Sequence, residues 1–277
     1  MILIADSGST KTSWVYTDRD KLEFLQTKGI NPFFRNSEDI FEELNNTILA
    51  SLSEKVQEVY FYGAGIINKE KANDVSVALS KLFPNATFNV QSDLLASAHA
   101  TLGNSEGIAC ILGTGSNSCL YDGEKIVEHV PPLGFILGDE GSGSVLGRKL
   151  VGDYLKGIMP VKLKEKFSSR LKIEYADFLE AVYKKEKPNK FLAGFVPFLS
   201  ENIEHEYCKN IIVQSFGEFV ERNILQYTGY EKMRICFVGS VAYHFKEQLV
   251  FVLKKNGLKP GIILKEPLDG LIKFHLT

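Results

Sequence analysis

Strand-like patterns of apolar and polar positions occur at three places near the start of the chain, the first of them a nearly continuous apolar run, and helical spacing follows. Strands are predicted at residues 1–6, 11–17 and 22–28, followed by a helix from 37 to about 55. The next segments alternate between the two periods, with strands at 58–62 and 87–90 and helices at 69–83 and 94–101. This order, βββαβαβα, predicts parallel crossover connections in an α/β domain.

The same order begins again after the glycine-containing break at residues 103–107. Strands are predicted near 108–113, 116–121 and 125–130, and long helical patterns follow at 142–155 and through 176–228. A strand at 234–238, a helix at 244–255, a strand at 261–265 and a short terminal helix complete the chain. The repeat predicts two duplicated α/β domains, the second richer in helix.

Two glycine-hydroxyl segments occupy equivalent places in the two halves. The first is Asp6-Ser7-Gly8-Ser9-Thr10-Lys11-Thr12 and the second is Gly113-Thr114-Gly115-Ser116-Asn117-Ser118. A glycine-rich turn between strands exposes backbone N–H groups beside small hydroxyls, so two such turns predict a clamp for a chain of phosphates. Each segment alone is also compatible with an ordinary hairpin turn.

Composition and net charge limit the classes of binding partner that we expect for this chain. The chain has 277 residues, of which 44% are hydrophobic and 24% charged, and its net charge is −2. This length is typical of two domains, and the charge provides no basic surface for nucleic acid or for an anionic membrane. With no run of apolar residues long enough to span a bilayer and four cysteines without CxxC spacing, we expect a cytoplasmic protein with reduced core cysteines.

Five motifs together resemble a known superfamily. They are the first turn, Ser92-Asp93, Leu112-Gly113-Thr114-Gly115-Ser116-Asn117, Gly138-Asp139-Glu140-Gly141-Ser142 and Phe237-Val238-Gly239-Ser240. In this order they resemble the sugar kinase, heat-shock ATPase and actin superfamily. More narrowly, they are similar to the N-acetylglucosamine kinase-like members of the family of benzoyl-CoA reductase-type ATPases.

The resemblance implies a two-lobed actin-like ATPase fold built from two ribonuclease H-like domains, at residues 1–104 and 105–277, with the last helix a candidate to return to the first lobe. It implies ATP and Mg²⁺ as cofactors, closure of the lobes on the substrate, and phosphoryl transfer to a hydroxyl of an amino sugar, most simply the 6-hydroxyl. The small-molecule sugar is the expected partner, and relatives suggest a homodimer.

The residues that match the family's nucleotide motifs define an expected phosphate and metal site. Asp6 would hold hydrated Mg²⁺, since hard cations prefer carboxylate oxygen, although a strand-end Asp can also cap its own turn. Backbone amides and hydroxyls of both turns would contact phosphate, and a glycine at a strand end would admit the nucleoside. The expected ATP-binding residues are Gly8, Ser9, Thr10, Lys11, Gly113, Thr114, Gly115, Ser116, Gly239 and Ser240.

The expected general base is Asp93, which stands where a strand meets a helix. The field of the helix favours the ionised carboxylate, which accepts the hydroxyl proton, and N-capping of the helix is the simpler alternative role. Asp93 is also an expected sugar contact, as are Asn31, Asn117, Gly134 and Asp139. Asn31 before a proline and Asp139 before a helix have the alternative roles of turn residue and helix cap.

The substrate motif departs from that of animal N-acetylglucosamine kinases. Those enzymes have a glycine and a tryptophan before the glycine that corresponds to Gly134, whereas here Pro132 and Leu133 precede it. The difference admits relatives of the sugar such as N-acetylmuramate, whose lactyl carboxylate needs room and a cation. Two other hypotheses are an ATPase activator that carries an iron–sulfur cluster, which would need exposed cysteines, and a nucleotide sensor without turnover.

Overall fold

The computed structural model describes residues 1–8, 10–18 and 21–276, and the chain divides into two compact units. Unit 1 comprises Met1–Gly103 and the segment from Pro267 onward, and unit 2 comprises Asn104–Glu266. The strands in the described residues are β1 (Ile2–Ser7), β2 (Lys11–Thr17), β3 (Leu22–Lys28), β4 (Glu58–Gly63), β5 (Thr87–Ser92), β6 (Gly107–Leu112), β7 (Ser116–Tyr121), β8 (Ile126–His129), β9 (Arg234–Val238) and β10 (Lys259–Leu264).

The α-helices of the described residues range from one turn to nearly five turns in length. They are α1 (Ser37–Asn45), α2 (Lys69–Leu82), α3 (Asp93–Leu102), α4 (Gly134–Leu137), α5 (Gly143–Lys156), α6 (Val161–Ser168), α7 (Tyr175–Tyr183), α8 (Pro188–Ala193), α9 (Val196–Glu201), α10 (Glu206–Arg222), α11 (Ser240–His244), α12 (Lys246–Lys255) and α13 (Leu268–Leu276). Short 3₁₀ helices cover Ile48–Leu52 and Ile224–Gln226.

Both units contain a five-stranded mixed sheet with the same strand order. In unit 1 the order is β3-β2-β1-β4-β5, with β1, β4 and β5 parallel and β2 and β3 antiparallel to their neighbours. In unit 2 the order is β8-β7-β6-β9-β10, with the corresponding directions. The duplicated α/β architecture predicted from the sequence is therefore confirmed.

Apolar side chains from both faces of each sheet are buried beneath helices. In unit 1, Trp14 is fully buried, packs 5.9 Å from the Phe61 ring, and donates its indole N–H to Thr27 Oγ1 at 2.9 Å. In unit 2, Phe216 and Phe219 of α10 are fully buried with Phe237 of β9. These cores fix the ends of the strands, and the candidate site residues lie at those ends.

The helical patterns are more divided in the structure than the sequence predicted. The helix expected from 37 to 55 is wrong beyond Asn45, because the chain leaves the α-helix at Asn46 and forms a separate 3₁₀ turn capped by Thr47. The pattern through 176–228 is four helices, two of which begin with a proline within their first turn. Helix α6 was not predicted, and the helix expected at 244–255 is split at Phe245.

The four cysteines, Cys110, Cys119, Cys208 and Cys236, are free thiols and all of them are buried. No helix in the described ranges is both long and apolar enough to cross a membrane.

Candidate active site

The first glycine turn connects β1 to β2 in unit 1. The Gly8 amide donates to the Lys11 carbonyl oxygen at 3.0 Å, and Gly8, Thr10 and Lys11 are all exposed. The predicted phosphate contact Ser9 lies outside the described residues. This backbone bond closes the described part of the turn, and Gly8 and Thr10 are open to solvent, as a phosphate loop requires.

Ser7, which the sequence analysis did not single out, ties this turn to the segment that contains Asn31. Its hydroxyl is fully buried, accepts the Ile30 amide at 2.9 Å and lies 2.7 Å from Thr12 Oγ1. Thr12 in turn donates to the Lys28 carbonyl oxygen at 3.0 Å. A buried serine and threonine facing one another across a hairpin is a signal that the sequence does contain, because β-strand periodicity places both inward.

Asn31 is 8% exposed and shapes its own turn, since its Oδ1 accepts the Phe33 amide at 2.9 Å. Its side chain packs against Gly65, whose φ of +83° places a glycine where any side chain would overlap the Asn31 amide. The turn role that the Asn-Pro sequence suggested is therefore present. The expected sugar contact stays a prediction.

Asp6 and Asp93 lie at the carboxyl ends of two parallel strands of the unit 1 sheet, β1 and β5. The strands β1, β4 and β5 run parallel, and Ser7, Gly63 and Ser92 stand in register at their carboxyl ends. Asp6 is half-buried one residue before that line, and Asp93 follows it directly. Two interstrand spacings separate β1 from β5, about 10 Å. This distance leaves room for a phosphoryl group and a hydroxyl along the edge that carries both carboxylates.

The helix cap of α3 is Ser92 and not Asp93. Ser92 Oγ accepts the Leu95 amide at 3.2 Å, which satisfies one of the open N–H groups of the first turn. Asp93 is half-buried, and burial raises the pKa of its carboxyl, while the backbone N–H groups of Leu94 and of Asp93 itself act in the opposite direction. A carboxylate with a raised pKa is a stronger base, which suits proton abstraction.

The second glycine turn connects β6 to β7 in unit 2 and is bound to the start of α5. The Gly113 amide donates to the Gly115 carbonyl oxygen at 3.0 Å. The Gly113 and Thr114 carbonyl oxygens accept the Gly143 and Ser144 amides at 2.8 and 3.0 Å. The first amides of α5 therefore hold this loop, and the helix dipole places positive potential beside it.

Asp139 holds the other side of the same loop. It is 8% exposed, its backbone adopts a left-handed φ of +54°, and its Oδ1 accepts the Ser116 amide at 3.1 Å. Burial raises the pKa of Asp139, the Ser116 bond lowers it and the charge of Glu140 raises it. The helix-cap alternative is not what the structure shows, because Ser142 caps α5 by accepting the Val145 amide.

Gly239 brings the end of β9 against the second loop. With φ at +130°, its Cα lies so close to the Leu112 carbonyl oxygen that no side chain fits. Ser240 follows as the first residue of α11 and is exposed.

A pocket of about 390 Å³ opens beside these residues within unit 2. Its walls are the loop residues Gly113 and Thr114, apolar side chains of the α8–α9 region such as Ala193 and Val196, and Ser240 and Val241 of α11. Largely apolar walls and a few polar groups, at a volume within the usual range, are typical of a small-molecule site.

Comparison with solved structures gives one relative of high similarity. A putative N-acetylglucosamine kinase from Porphyromonas gingivalis is 46% identical, with a TM-score of 0.94, and the match covers 100% of this chain and 99% of that one. The chain belongs to this N-acetylglucosamine kinase-like family of sugar kinases.

Two more distant structures share the fold of this kinase family. A putative N-acetylglucosamine kinase from Chromobacterium violaceum is 14% identical with a TM-score of 0.74, over 100% of this chain and 98% of that one. A ROK family glucokinase from Streptomyces griseus, in complex with glucose and AMPPNP, is 13% identical with a TM-score of 0.58, over 99% and 96%. The predicted actin-like kinase fold is confirmed. No protein-family profile and no curated protein matches the chain.

Within this kinase fold, the two remaining expected sugar contacts differ in their surroundings. Asn117 is half-buried on β7, and its amide oxygen bonds to His129. Gly134 is exposed at the start of α4, and α4 is held to α5 because Arg148 donates to the Phe135 carbonyl oxygen at 2.6 Å. The structure therefore brings Gly113–Ser116, Asp139 and Gly239 together in unit 2, whereas Gly134 joins none of their hydrogen bonds.

The α8–α9 wall of the pocket was not predicted, because residues 176–228 have one continuous helical pattern of apolar positions. Pro188 and Pro197 stand within the first turns of α8 and α9, where proline is favoured. Gly147 of α5 has no room for a side chain against the backbone of Leu192. These proline and glycine positions are the signals that would have indicated short helices crossing α5 closely.

Proposed function

We propose that this sugar kinase transfers the terminal phosphoryl group of ATP to the 6-hydroxyl of N-acetylglucosamine or of a close relative. The observation that carries the amino-sugar assignment is the 46% identity, over both units, to the putative N-acetylglucosamine kinase of Porphyromonas gingivalis. The strand-end geometry of Asp6 and Asp93 and the loop held by α5 supply the groups that such a transfer needs.

In this proposal unit 2 holds the nucleotide. The second loop, Gly113–Ser116, contacts phosphate oxygens through the amides of Thr114 and Gly115 and through its hydroxyls, because the Gly113 and Ser116 amides already donate to Gly115 and Asp139. The nucleoside occupies the pocket of about 390 Å³ beside Ser240. The close approach of Gly239 to Leu112 supports this assignment, because it brings Ser240, which lines the pocket, next to the second loop.

Unit 1 supplies the charged groups. Asp93 accepts the proton of the attacking hydroxyl, and Gly8, Thr10 and Lys11 contact the transferred phosphoryl group. The carboxylate of Asp6, half-buried at a strand end before an exposed hydroxyl turn, fits a hydrated Mg²⁺ ion, which prefers hard oxygen ligands. When bound, Mg²⁺ would neutralise charge on the phosphates.

The test is ADP release with Mg-ATP and a panel of N-acetylglucosamine, N-acetylmuramate, N-acetylmannosamine, glucose and no sugar. We expect strong stimulation by one amino sugar, with the new phosphate on its 6-hydroxyl by NMR. Turnover that does not depend on sugar, or no turnover with any sugar, would contradict the proposal.

N-acetylmuramate is the second candidate substrate. Leu133 stands where animal enzymes have a tryptophan. It is 60% exposed with a left-handed φ of +60°, so an aliphatic side chain takes the place of the indole ring at this position. An ATPase activator with a surface cluster is disfavoured, because all four cysteines are buried and burial raises the pKa of the Cys110 and Cys119 thiols.

A further inference from the structure

The side chain of Asn117 has a determined orientation. The Ser118 amide donates to Asn117 Oδ1 at 3.0 Å. A backbone N–H is only a donor, so the atom that it contacts must be the amide oxygen and not the nitrogen. The Asn117 NH₂ group is therefore the other branch of the planar amide and points away from this bond.

His129 makes a second bond to the same oxygen. Its Nε2 lies 2.8 Å from Asn117 Oδ1, and the two residues belong to the adjacent antiparallel strands β8 and β7. An oxygen acceptor requires the imidazole to carry its hydrogen on Nε2. With both donors on the oxygen, the hydrogen bonds of the described residues include none from Asn117 Nδ2.

The backbone beneath this pair is held independently of it. The buried Tyr227 hydroxyl lies 2.7 Å from Ser118 Oγ and accepts the Val130 amide at 3.2 Å. Tyr227 thus clamps the residue after Asn117 and the residue after His129. Tyr227 holds the backbones of the two strands together. The bond from His129 is therefore not needed for strand pairing, and its effect is to orient the Asn117 amide.

We propose that His129 is a positioning residue, which holds the Asn117 amide so that its NH₂ group donates to an oxygen of the substrate. The proposal rests on the proposed function, in which Asn117 contacts the sugar. It adds that the contacted sugar atom accepts a hydrogen bond, and that a residue outside every family motif of this chain sets that contact.

The test is a series of substitutions at His129 with sugar and ATP varied separately. His129→Ala should raise KM for the sugar about fivefold, the effect of one lost orienting bond, and leave KM for ATP unchanged. His129→Gln keeps an N–H donor and should restore most of the loss. His129→Glu offers only an acceptor, attracts the NH₂ group and turns the amide, so it should raise KM more than alanine does.

Two controls separate positioning from general stability. Tyr227→Phe removes the buried hydroxyl and should lower Tm more than His129→Ala does, with a smaller change in KM. In an Asn117→Ala background, His129→Ala should have no further effect on KM for the sugar, because it acts through the amide. An effect that persists in that background, or an equal loss in the Ala, Gln and Glu variants, overturns the proposal. A rise in KM for ATP alone would place the acceptor on the nucleotide and also overturn it.

A measurement that does not depend on turnover tests the role of His129 separately from the proposed function. In ¹⁵N NMR of the substrate-free protein, His129 should have the tautomer with hydrogen on Nε2. Hydrogen on Nδ1 alone would overturn the positioning role even if the enzyme proves to be an amino-sugar kinase. The Nε2 tautomer together with no sugar turnover would support the His129–Asn117 bond, but it would overturn the proposed function and with it the sugar contact.

Discussion

At the scale of single residues, the helix caps of α3 and α5 are serines, although an aspartate that could also cap a helix lies nearby in each case. Ser92 caps α3, so the Asp93 carboxylate in the first turn is not needed as the cap and is available for the proposed proton abstraction. Ser142 caps α5, and Asp139 holds the Ser116 amide instead. In both places the hydroxyl residue satisfies the helix, and the acidic residue faces a strand end.

Asp93→Asn should reduce kcat by about 10²-fold to 10⁴-fold, because the amide cannot accept the hydroxyl proton. Nucleotide binding and Tm should change little, since Ser92 still caps the helix. Steady-state kinetics and calorimetry check this, with Asp74→Asn, a surface carboxylate of the same unit, as the matched control. Full sugar-dependent turnover by the Asp93→Asn variant would remove the assignment of the base.

The pH profile of kcat/KM should report the same residue. Burial raises the pKa of Asp93, so the carboxylate becomes protonated, and the base inactive, at a pH above the ordinary value for an aspartate of about 4. Activity should therefore fall as pH decreases through this raised pKa. An acid limb with its midpoint at or below the ordinary value would be inconsistent with burial of the catalytic carboxylate.

At the scale of elements, glycines decide how closely helices approach in unit 2. Gly143 and Gly147 lie one turn apart on α5, and α8 crosses there so closely that a Cβ on Gly147 would overlap the Leu192 backbone. This crossing places Ala193 at the wall of the pocket. Helix α5 therefore contributes its first amides to the loop, Gly143 to the pocket lining and Gly147 to the contact with α8.

Gly147→Ala should lower the free energy of unfolding by about 2 kcal/mol or more, since backbone must move to admit the methyl group. Gly152→Ala lies on the same helix, and open space surrounds the new methyl, so it should stabilise by up to about 1 kcal/mol through helix propensity. Urea denaturation of both variants measures the difference. Equal stabilities would contradict the close crossing.

At the scale of the whole molecule, unit 1 is assembled from both ends of the chain. Helix α13 packs on α3, where Gly270 fits directly against Ala100. The Tyr62 hydroxyl lies 2.8 Å from His99 Nδ1 and 2.9 Å from His275 Nε2. This network joins the last helix to β4 and to the helix that begins with Asp93.

Because of the two histidines in this network, we expect the free energy of unfolding to decrease as the pH falls. Burial lowers the pKa of His99 and of His275 to about 4, whereas both titrate near 6.5 in the unfolded chain. The unfolded state therefore binds more protons at intermediate pH, so the stabilisation is present above pH about 6.5 and is lost as pH falls towards about 4. Partial exposure of the rings limits the effect to the order of 1–2 kcal/mol for each histidine.

Urea midpoints across this pH range measure the effect, and His275→Gln should reduce the slope because one titrating ring is removed. A native slope near zero between pH 6.5 and 4 would show that the two rings titrate normally in the folded protein.

Many of the strands were predictable, because a strand is indicated by the pattern of apolar residues within its own short segment. Residues 11–17, 22–28, 116–121 and 234–238 form the strands that the local patterns of apolar and polar residues predicted, the last of them from a continuous apolar run. The helices were less predictable, since one apolar period continues across Asn46 and through 183–206, although the chain turns there. Tertiary packing, and not periodicity, determines where such helices end.

The sequence by itself determined the repeated strand order, the two glycine turns and the acidic residues at strand ends, because each depends on contacts between residues close in the chain or on glycine's freedom at a turn. Only the tertiary structure decided the partners of Asp139 and Asn117, the bond of Ser7 to the Ile30 amide and the apolar wall of the pocket. The three hydrogen bonds join residues that are 12 to 23 positions apart, at distances set by packed elements. Local pattern carries no information about which distant side chain will occupy a given hydrogen bond.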